Sequence, residues 1–193
     1  MKYKIILASN SPRRRELLAG LDIDFEVKVL PGVDESYPTT LDAYDVAQYI
    51  AHQKAEAHRC LLHDDNTLVL TADTVVIVPG KDHAEILGKP KDAADARRML
   101  HMLSGKTHHV VTGVCLTTLH AQHQFSVTTE VSFRELEDSE IEYYIDHYRP
   151  YDKAGAYGIQ EWIGYVGCAG LKGSYYNVMG LPVQRIYEEM KQL

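Results

Sequence analysis

The 193-residue chain contains only three cysteines and no long apolar run. Cys60, Cys115 and Cys168 match none of the zinc-site spacings, and their odd number favours free thiols in a reducing compartment. No stretch approaches the ~18 apolar residues of a membrane span. The short apolar run at the N-terminus soon meets polar residues and arginines, so we expect no secretory signal. These features predict a cytoplasmic protein without a membrane partner.

The chain also has fewer basic than acidic residues. Its 20 Lys and Arg residues against 27 Asp and Glu residues give a formal charge of −7. Binding to a nucleic-acid polymer draws on a basic face, so this balance argues against such a partner. A small anionic ligand held by a few local cations is compatible with it.

Ten histidines raise the question of a metal site. The clearest groups are His108 with His109, and His120 with His123, but neither pair has a third ligand at a suitable spacing. This pattern favours packed or solvated imidazoles.

No internal repeat and no linker rich in Gly, Ser or Pro divides the chain, so we predict a single domain over residues 1–193. Strands interspersed with helices, plus one hairpin, predict an α/β fold with a mixed sheet. The predicted strands cover residues 4–9, 25–29, 67–78, 107–119 and 124–133, with a short one ending at residue 87. The predicted helices cover residues 11–20, 41–61, 92–103 and 137–148, and a short one begins near residue 182.

Three arginines stand where a helix disfavours them. Residues 9–15 read Ser-Asn-Ser-Pro-Arg-Arg-Arg, and Pro12 suits the first position of a helix. The dipole favours acids at that end, and each misplaced cation costs ~0.3–1 kcal/mol. A bound anion would remove the conflict, because backbone N–H groups and guanidinium groups both bind phosphate. The segment therefore predicts a phosphate site, with a solvated basic patch as the alternative.

Two charged side chains stand where apolar ones are expected. Lys54 falls in the middle of the apolar arc of the predicted helix 41–61, so its ammonium either extends to solvent or reaches a buried anion. Asp73 interrupts the apolar strand 67–78, and a buried unpaired charge costs several kcal/mol. We therefore expect the Asp73 carboxylate to form a structural ion pair, to bind a metal ion or to act as a general base.

Two other basic segments contain glycine, which lets the backbone approach a ligand closely. They are Gly88-Lys89-Pro90 and the segment 152–160, which includes Lys153, although a plain turn explains either one. Residues 104–107 end like a P-loop, but Leu100 stands where that motif requires glycine. We interpret residues 104–107 as the end of a helix leading into a strand.

Taken together, these segments resemble the Maf family of nucleoside-triphosphate pyrophosphatases. The resemblance covers nearly the whole chain, and the motifs occur in the family's order. The resemblance implies one α/β domain, with an extended mixed sheet flanked by helices and a cleft between two lobes. Members of the family are often dimeric, so a homodimer is one expected oligomeric state. The matching motifs are S-N-S-P-R-R at 9–14, D-E at 34–35, Q-K-A at 53–55, A-D-T-V at 72–75, G-K-P at 88–90, S-G-K-T-H at 104–108, D-K-A-G-A-Y-G-I-Q at 152–160 and V-M-G-L-P at 178–182.

The resemblance also implies a reaction. A nucleoside triphosphate would be hydrolysed to the monophosphate and diphosphate by attack at the α-phosphorus, with Mg²⁺ or Mn²⁺ as the cofactor. Asp73 matches the position of the proton acceptor, and Asp73 and Glu35 are the candidate metal ligands. Further candidates for binding the nucleotide substrate are Ser9, Arg14, Lys54, Lys89 and Lys153.

Three positions carry the expected substrate choice by the same resemblance. Arg13, Thr74 and Gln160 match the combination of members that act on dTTP and UTP, whereas a subgroup preferring 7-methyl-GTP carries Trp, Gln and Glu there. The Gln160 amide suits the O4 and N3–H edge of uracil or thymine. Adjacent strand residues point to opposite faces, so Asp73 and Thr74 both reach a substrate only if the strand ends or bulges there, which we predict.

Two other functions stay open at this point. One is a pyrophosphatase of different base preference. The other is a nucleotide-binding regulator of cell division or septum formation, in which hydrolysis is incidental.

Overall fold

The computed structural model describes residues 3–81 and 83–193, and helices are interspersed with strands along this part of the chain. The strands are β1 (Lys4–Leu7), β2 (Phe25–Val27), β3 (Thr67–Val78), β4 (Glu85–Leu87), β5 (Thr107–Thr117), β6 (Gln122–Phe133) and β7 (Cys168–Lys172). The helices are α1 (Pro12–Ala19), α2 (Val46–Ala57), α3 (Ala93–Leu103), α4 (Asp138–Tyr148), α5 (Trp162–Gly167), α6 (Tyr175–Met179) and α7 (Val183–Met190), with short 3₁₀ helices at Arg59–Leu61 and Ala154–Ala156.

The strands form one mixed sheet. Their order is β2-β1-β3-β5-β6-β7, and β4 also pairs with β3. Strand β1 is parallel to β2 and β3, so that Ile5 lies opposite Phe25 on one side and Leu68 on the other. Strand β4 is antiparallel to β3, and strand β7 is antiparallel to β6. The predicted α/β class with a mixed sheet is confirmed.

Several predicted boundaries were wrong. Strand β1 ends at Leu7 rather than residue 9, and the helix predicted over 41–61 is α2 over Val46–Ala57. Ahead of α2, the Asp42 carboxylate accepts the Tyr44 N–H at 2.9 Å, a local turn that competes with helix. Helices α5 and α6 and strand β7 were not predicted, because elements of five or six residues show little periodicity.

Of the two predicted alternatives at Asp73, a strand end or a bulge, the strand end is wrong and the bulge stays a prediction. Strand β3 continues to Val78, because β4 pairs with it from Val76 onward. The register between β1 and β3 ends at Leu70, so β3 extends past the carboxyl end of β1 before it reaches Asp73.

The chain divides into two compact units. The first comprises the described residues of Met1–Asp73, Thr112–Val127 and Gly180–Leu193, and the second comprises those of Thr74–Val111 and Thr128–Met179. The predicted single domain over residues 1–193 and the cleft between two lobes stay predictions.

In the first unit, helix α2 packs very closely on strand β5. Ala51 and Ala55 of the helix share a buried cluster with Cys115 of the strand. A Cβ atom at Gly113 would lie 2.4 Å from the Ala47 carbonyl and from the Gln48 Cα atom. A glycine inside a strand often marks such a close backbone approach, and here it sets how near α2 lies to the sheet.

The second unit has its own core between the sheet and helices α3 and α4. Within it, His108 is fully buried, with its ring centroid 5.1 Å from that of Phe133 and 5.4 Å from that of Tyr157. Burial lowers the pKa of His108 to about 3. This imidazole is packed in the core, as the sequence predicted.

No helix in the described ranges, residues 3–81 and 83–193, is both long and apolar enough to cross a membrane.

We predict that Gly113→Ala lowers the free energy of unfolding by about 2–3 kcal/mol, because the added methyl group overlaps helix backbone that cannot move without repacking the unit. Denaturant unfolding measures the change. Gly170→Ala is the matched control, since its added Cβ would lie 4.0 Å from its nearest neighbour; we expect a change within about 0.5 kcal/mol. Equal effects of the two substitutions would contradict the close approach.

Candidate active site

A cluster of three charged side chains lies in the first unit. The Lys54 ammonium is 2.7 Å from the Asp73 Oδ1 atom and 3.0 Å from the Glu35 Oε1 atom. The side chains of Lys54 and Asp73 are only 13% and 15% exposed, whereas that of Glu35 is 54% exposed. Lys54 thus reaches a partly buried anion, the Asp73 carboxylate. The two charges that stand out in the sequence compensate each other.

A hydrogen bond between strand β3 and helix α2 helps to place Lys54 and Asp73 side by side. The Thr71 hydroxyl, two residues before Asp73, donates to the Ala51 carbonyl of helix α2 at 2.8 Å. This bond joins β3 to α2 one helical turn before Lys54 and fixes the distance between the elements that carry the ion pair.

A buried histidine, which the sequence analysis did not single out, connects helix α2 to the segment leading to Glu35. The His58 Nε2 atom lies 3.1 Å from the Leu30 N–H, and its Nδ1 atom lies 2.7 Å from the Lys54 carbonyl. Since the Leu30 N–H can only donate, Nε2 is the acceptor and Nδ1 carries the proton. A histidine at a helix end can indicate such a link between elements, but the sequence alone does not reveal its partners.

Arg14 supports the same region from helix α1. Its guanidinium donates to the carbonyls of Gly180 and Ala72, both at 2.8 Å, and lies 3.5 Å from the Ser9 hydroxyl oxygen. Burial lowers the pKa of Arg14, while the nearby Asp73 charge opposes that shift. Arg14 therefore holds the backbone immediately before Asp73, where β1 no longer pairs with β3.

The start of helix α1 has the predicted form. Pro12 occupies its first turn, and the Ser11 hydroxyl accepts the Arg14 N–H at 3.4 Å. The first turn contains no acid, and Arg13 is partly exposed there. Ser9 is buried, and its hydroxyl accepts the Ser11 N–H at 3.2 Å.

The second unit contains the other predicted residues. Thr74, the first residue of this unit, is partly buried, and Lys89 is exposed in the loop after β4. The Gly155 N–H donates to the Gly88 carbonyl at 3.0 Å, so the two glycine-containing basic segments lie together. The Oε1 atom of Gln160 is buried and has no hydrogen-bond partner within the described part of the chain.

Lys153 differs from the other candidate cations because it is almost fully buried. Its ammonium lies 2.8 Å from the Asp152 carboxylate and 3.1 Å from the Glu161 carboxylate. Glu161, directly after the D-K-A-G-A-Y-G-I-Q motif, was not identified from the sequence as a partner of this site.

Glu35 and Asp73 were predicted as metal ligands, and their arrangement fits a hard divalent cation. Both carboxylates converge on one position, which the Lys54 ammonium takes in this structure. Across residues 3–81 and 83–193, no cluster of three or more His, Cys, Asp or Glu side chains is arranged to hold a metal ion. Mg²⁺ is commonly held by one or two carboxylates together with substrate phosphates and waters, so two carboxylates suffice.

Comparison with known proteins gives a consistent result. A family model described as "Maf-like protein" matches residues 4–193. Proteins named "dTTP/UTP pyrophosphatase" are similar along their length: one from Phocaeicola vulgatus is 61% identical over 100% of this chain and 97% of its own, and one from Porphyromonas gingivalis is 56% identical over 98% and 94%. Another from Flavobacterium johnsoniae is 46% identical over 100% and 96%. The chain belongs to the Maf-like protein family.

Proposed function

We propose that the protein hydrolyses dTTP and UTP to the nucleoside monophosphate and diphosphate, by metal-assisted attack of water at the α-phosphorus. The observation that carries this proposal is the Glu35–Lys54–Asp73 cluster, in which two carboxylates and one ammonium meet beside the Arg14 guanidinium. The names of the similar proteins support the choice of substrates. Modified pyrimidine nucleotides are included in this substrate class.

The cations of the site suit a triphosphate. Arg13 and Ser9 stand at the start of α1, where backbone N–H groups and a guanidinium can bind phosphate oxygens. Lys54 adds further positive charge, and Arg14 both holds the Ala72 carbonyl and contributes its own charge. In a chain with a formal charge of −7, this local concentration of cations gives an anionic substrate a specific place to bind. Lys89, in the second unit, stays a predicted substrate-binding residue.

Glu35 and Asp73 would hold the divalent cation, Mg²⁺ or Mn²⁺. When bound, such a cation neutralises charge on the phosphate oxygens and lowers the pKa of a water molecule. Lys54, which now contacts both carboxylates, can then turn its ammonium to the phosphates, because its long stem is flexible.

Asp73 takes the proton of the attacking water in this proposal. Its carboxylate is mostly shielded from solvent, and the Lys54 ammonium lies at hydrogen-bond distance from it. A carboxylate within hydrogen-bond reach of the water is the geometry that general-base catalysis requires. If the same carboxylate contacts the metal, one of the two roles passes through a water.

Gln160 would select the base, and Arg13 and Thr74 stay predicted determinants of substrate choice. The buried Oε1 atom of Gln160 is an acceptor without a partner in the described chain, and the N3–H group of uracil or thymine is a donor. A base that lacks this donor leaves the amide oxygen unpaired, which costs binding free energy and rejects that base. The unsatisfied oxygen thus supports a pyrimidine with an N3–H group.

Two further features accompany the proposal without a structural test. The homodimer, one oligomeric state expected from the family resemblance, stays a prediction that sedimentation equilibrium would examine. The cytoplasmic location stays a prediction as well.

The proposed reaction predicts specific products. Incubating the protein with dTTP, UTP, CTP, ATP and GTP, each with Mg²⁺ or Mn²⁺, should release diphosphate and monophosphate fastest from dTTP and UTP. Anion chromatography identifies the products. Orthophosphate plus a nucleoside diphosphate would contradict attack at the α-phosphorus, another preferred base would favour the alternative specificity, and absence of turnover would favour the regulator.

Replacing the proposed base should remove turnover while leaving a folded protein. We expect Asp73→Asn to lower kcat for UTP by about 10²–10⁴-fold, the usual contribution of general-base catalysis, while binding of a non-hydrolysable UTP analogue, measured by calorimetry, persists. Asp65→Asn is the matched control, since Asp65 is an exposed acid of the same unit that pairs with His120. A near-normal rate for Asp73→Asn would show that another group takes the proton.

A further inference from the structure

A hydrogen-bonded network connects the segment that contains Gln160, residues 153–161, to helix α4. The Tyr144 hydroxyl accepts the Gly158 N–H at 3.0 Å and donates to the Glu161 Oε2 atom. Tyr144 is fully buried. Burial and the Glu161 carboxylate both raise the pKa of Tyr144, so its hydroxyl keeps the proton that it donates.

The second oxygen of Glu161 extends the network to the start of the segment. Its Oε1 atom lies 3.1 Å from the Lys153 ammonium, which also binds Asp152 at 2.8 Å. One carboxylate therefore connects Lys153, at the beginning of the 153–161 segment, with Tyr144, on helix α4. Because the Lys153 ammonium contacts both carboxylates, it is suited to hold Glu161 in place, and its contact with the substrate stays a prediction.

The network also leaves no free space around Gly158. A Cβ atom at that position would lie 2.9 Å from the Glu161 Cδ atom and 3.1 Å from the Lys153 Cε atom. The backbone of the segment is thus packed against the same two side chains that form its ion pair. Two residues later stands Gln160, whose buried Oε1 atom has no partner in the described chain.

We propose that Tyr144, Glu161 and Lys153 are positioning residues that hold the Gln160 amide in place and thereby set the selectivity between uracil and cytosine. This inference rests on the proposed function. A hydrogen bond discriminates between bases only if the protein group is held within about 0.5 Å of its productive position. Cytosine carries an amino group in place of O4 and lacks the N3–H donor, so a fixed amide oxygen favours uracil and a mobile amide can adapt to either base.

The main test compares kcat/KM for UTP and CTP in the intact protein. Tyr144→Phe removes the hydroxyl and keeps the ring. We expect the UTP/CTP ratio to fall about five- to tenfold, the scale of one lost hydrogen bond, with a higher KM for UTP and a kcat within about threefold. The matched control is Tyr148→Phe, on the same helix, where the ring stacks on Tyr144 with centroids 5.1 Å apart; its ratio should stay within twofold.

Gln160→Glu provides the reference for lost base recognition. If Tyr144 acts through Gln160, the double variant should discriminate no worse than Gln160→Glu alone, because effects transmitted through one group are not additive. Independent, multiplicative losses would overturn the proposal. So would an unchanged ratio in Tyr144→Phe, or an equal fall in kcat/KM for both nucleotides, which a purely structural role produces.

If the Tyr144→Phe protein fails to fold, a second variant and a measurement on the wild type still test the proposal. Glu161→Gln keeps an acceptor for Tyr144 but removes the charge that holds Lys153, and it should also lower the UTP/CTP ratio. In the wild-type protein, the Gly158 amide should exchange slowly with solvent, whereas exchange as fast as that of exposed loop amides would overturn the network. Failure of the wild type to release diphosphate from UTP would instead refute the proposed function.

Discussion

The ion pair between Lys54 and Asp73 is the interaction on which the rest of the first unit's candidate site depends. A carboxylate inside an apolar strand and an ammonium on the apolar face of a helix would each be costly alone, and at 2.7 Å each compensates the other. Glu35 and Arg14 add one charge of each sign nearby, so cations and carboxylates balance before any substrate binds. In the proposed function, a triphosphate with a divalent cation would offer new partners to charges of both signs, so the residues of this cluster would exchange their contacts during the reaction.

In the second unit, the main feature is the fixed backbone of the 153–161 segment. This segment is fixed by Tyr144, by the ion pair of Lys153 and Glu161, and by the bond from the Gly155 N–H to the Gly88 carbonyl. The contacts of Tyr144, Lys153 and Glu161 are buried or nearly so. Such networks fix backbone position because every broken bond would leave a desolvated group unpaired. Charge exchange therefore belongs to the cluster around Asp73, whereas fixed hydrogen-bonding geometry belongs to the segment around Gln160.

Much of this was predictable from residues that violate local preferences. The apolar period of β3 made Asp73 conspicuous, and the helical period of α2 made Lys54 conspicuous, because periodicity shows where a charge is misplaced. The same reasoning could not show that the two residues are partners, since that depends on a contact between elements distant in sequence. It also could not decide whether the strand ends or bulges at Asp73, because it lacked the pairing of β4 with β3 from Val76 to Val78. His58 and Glu161 act through specific contacts and have no periodic signal.

The most direct test of the central claim measures whether the carboxylates around Lys54 bind the catalytic cation. Electron paramagnetic resonance can follow Mn²⁺ binding in the wild type, in Glu35→Gln, and in Glu56→Gln, an exposed acid of the same unit that pairs with Arg59. Loss of Glu35 should weaken Mn²⁺ binding at least about tenfold, as substitutions at metal sites usually do, and loss of Glu56 should leave it unchanged. Equal Mn²⁺ affinities in all three proteins would contradict the account.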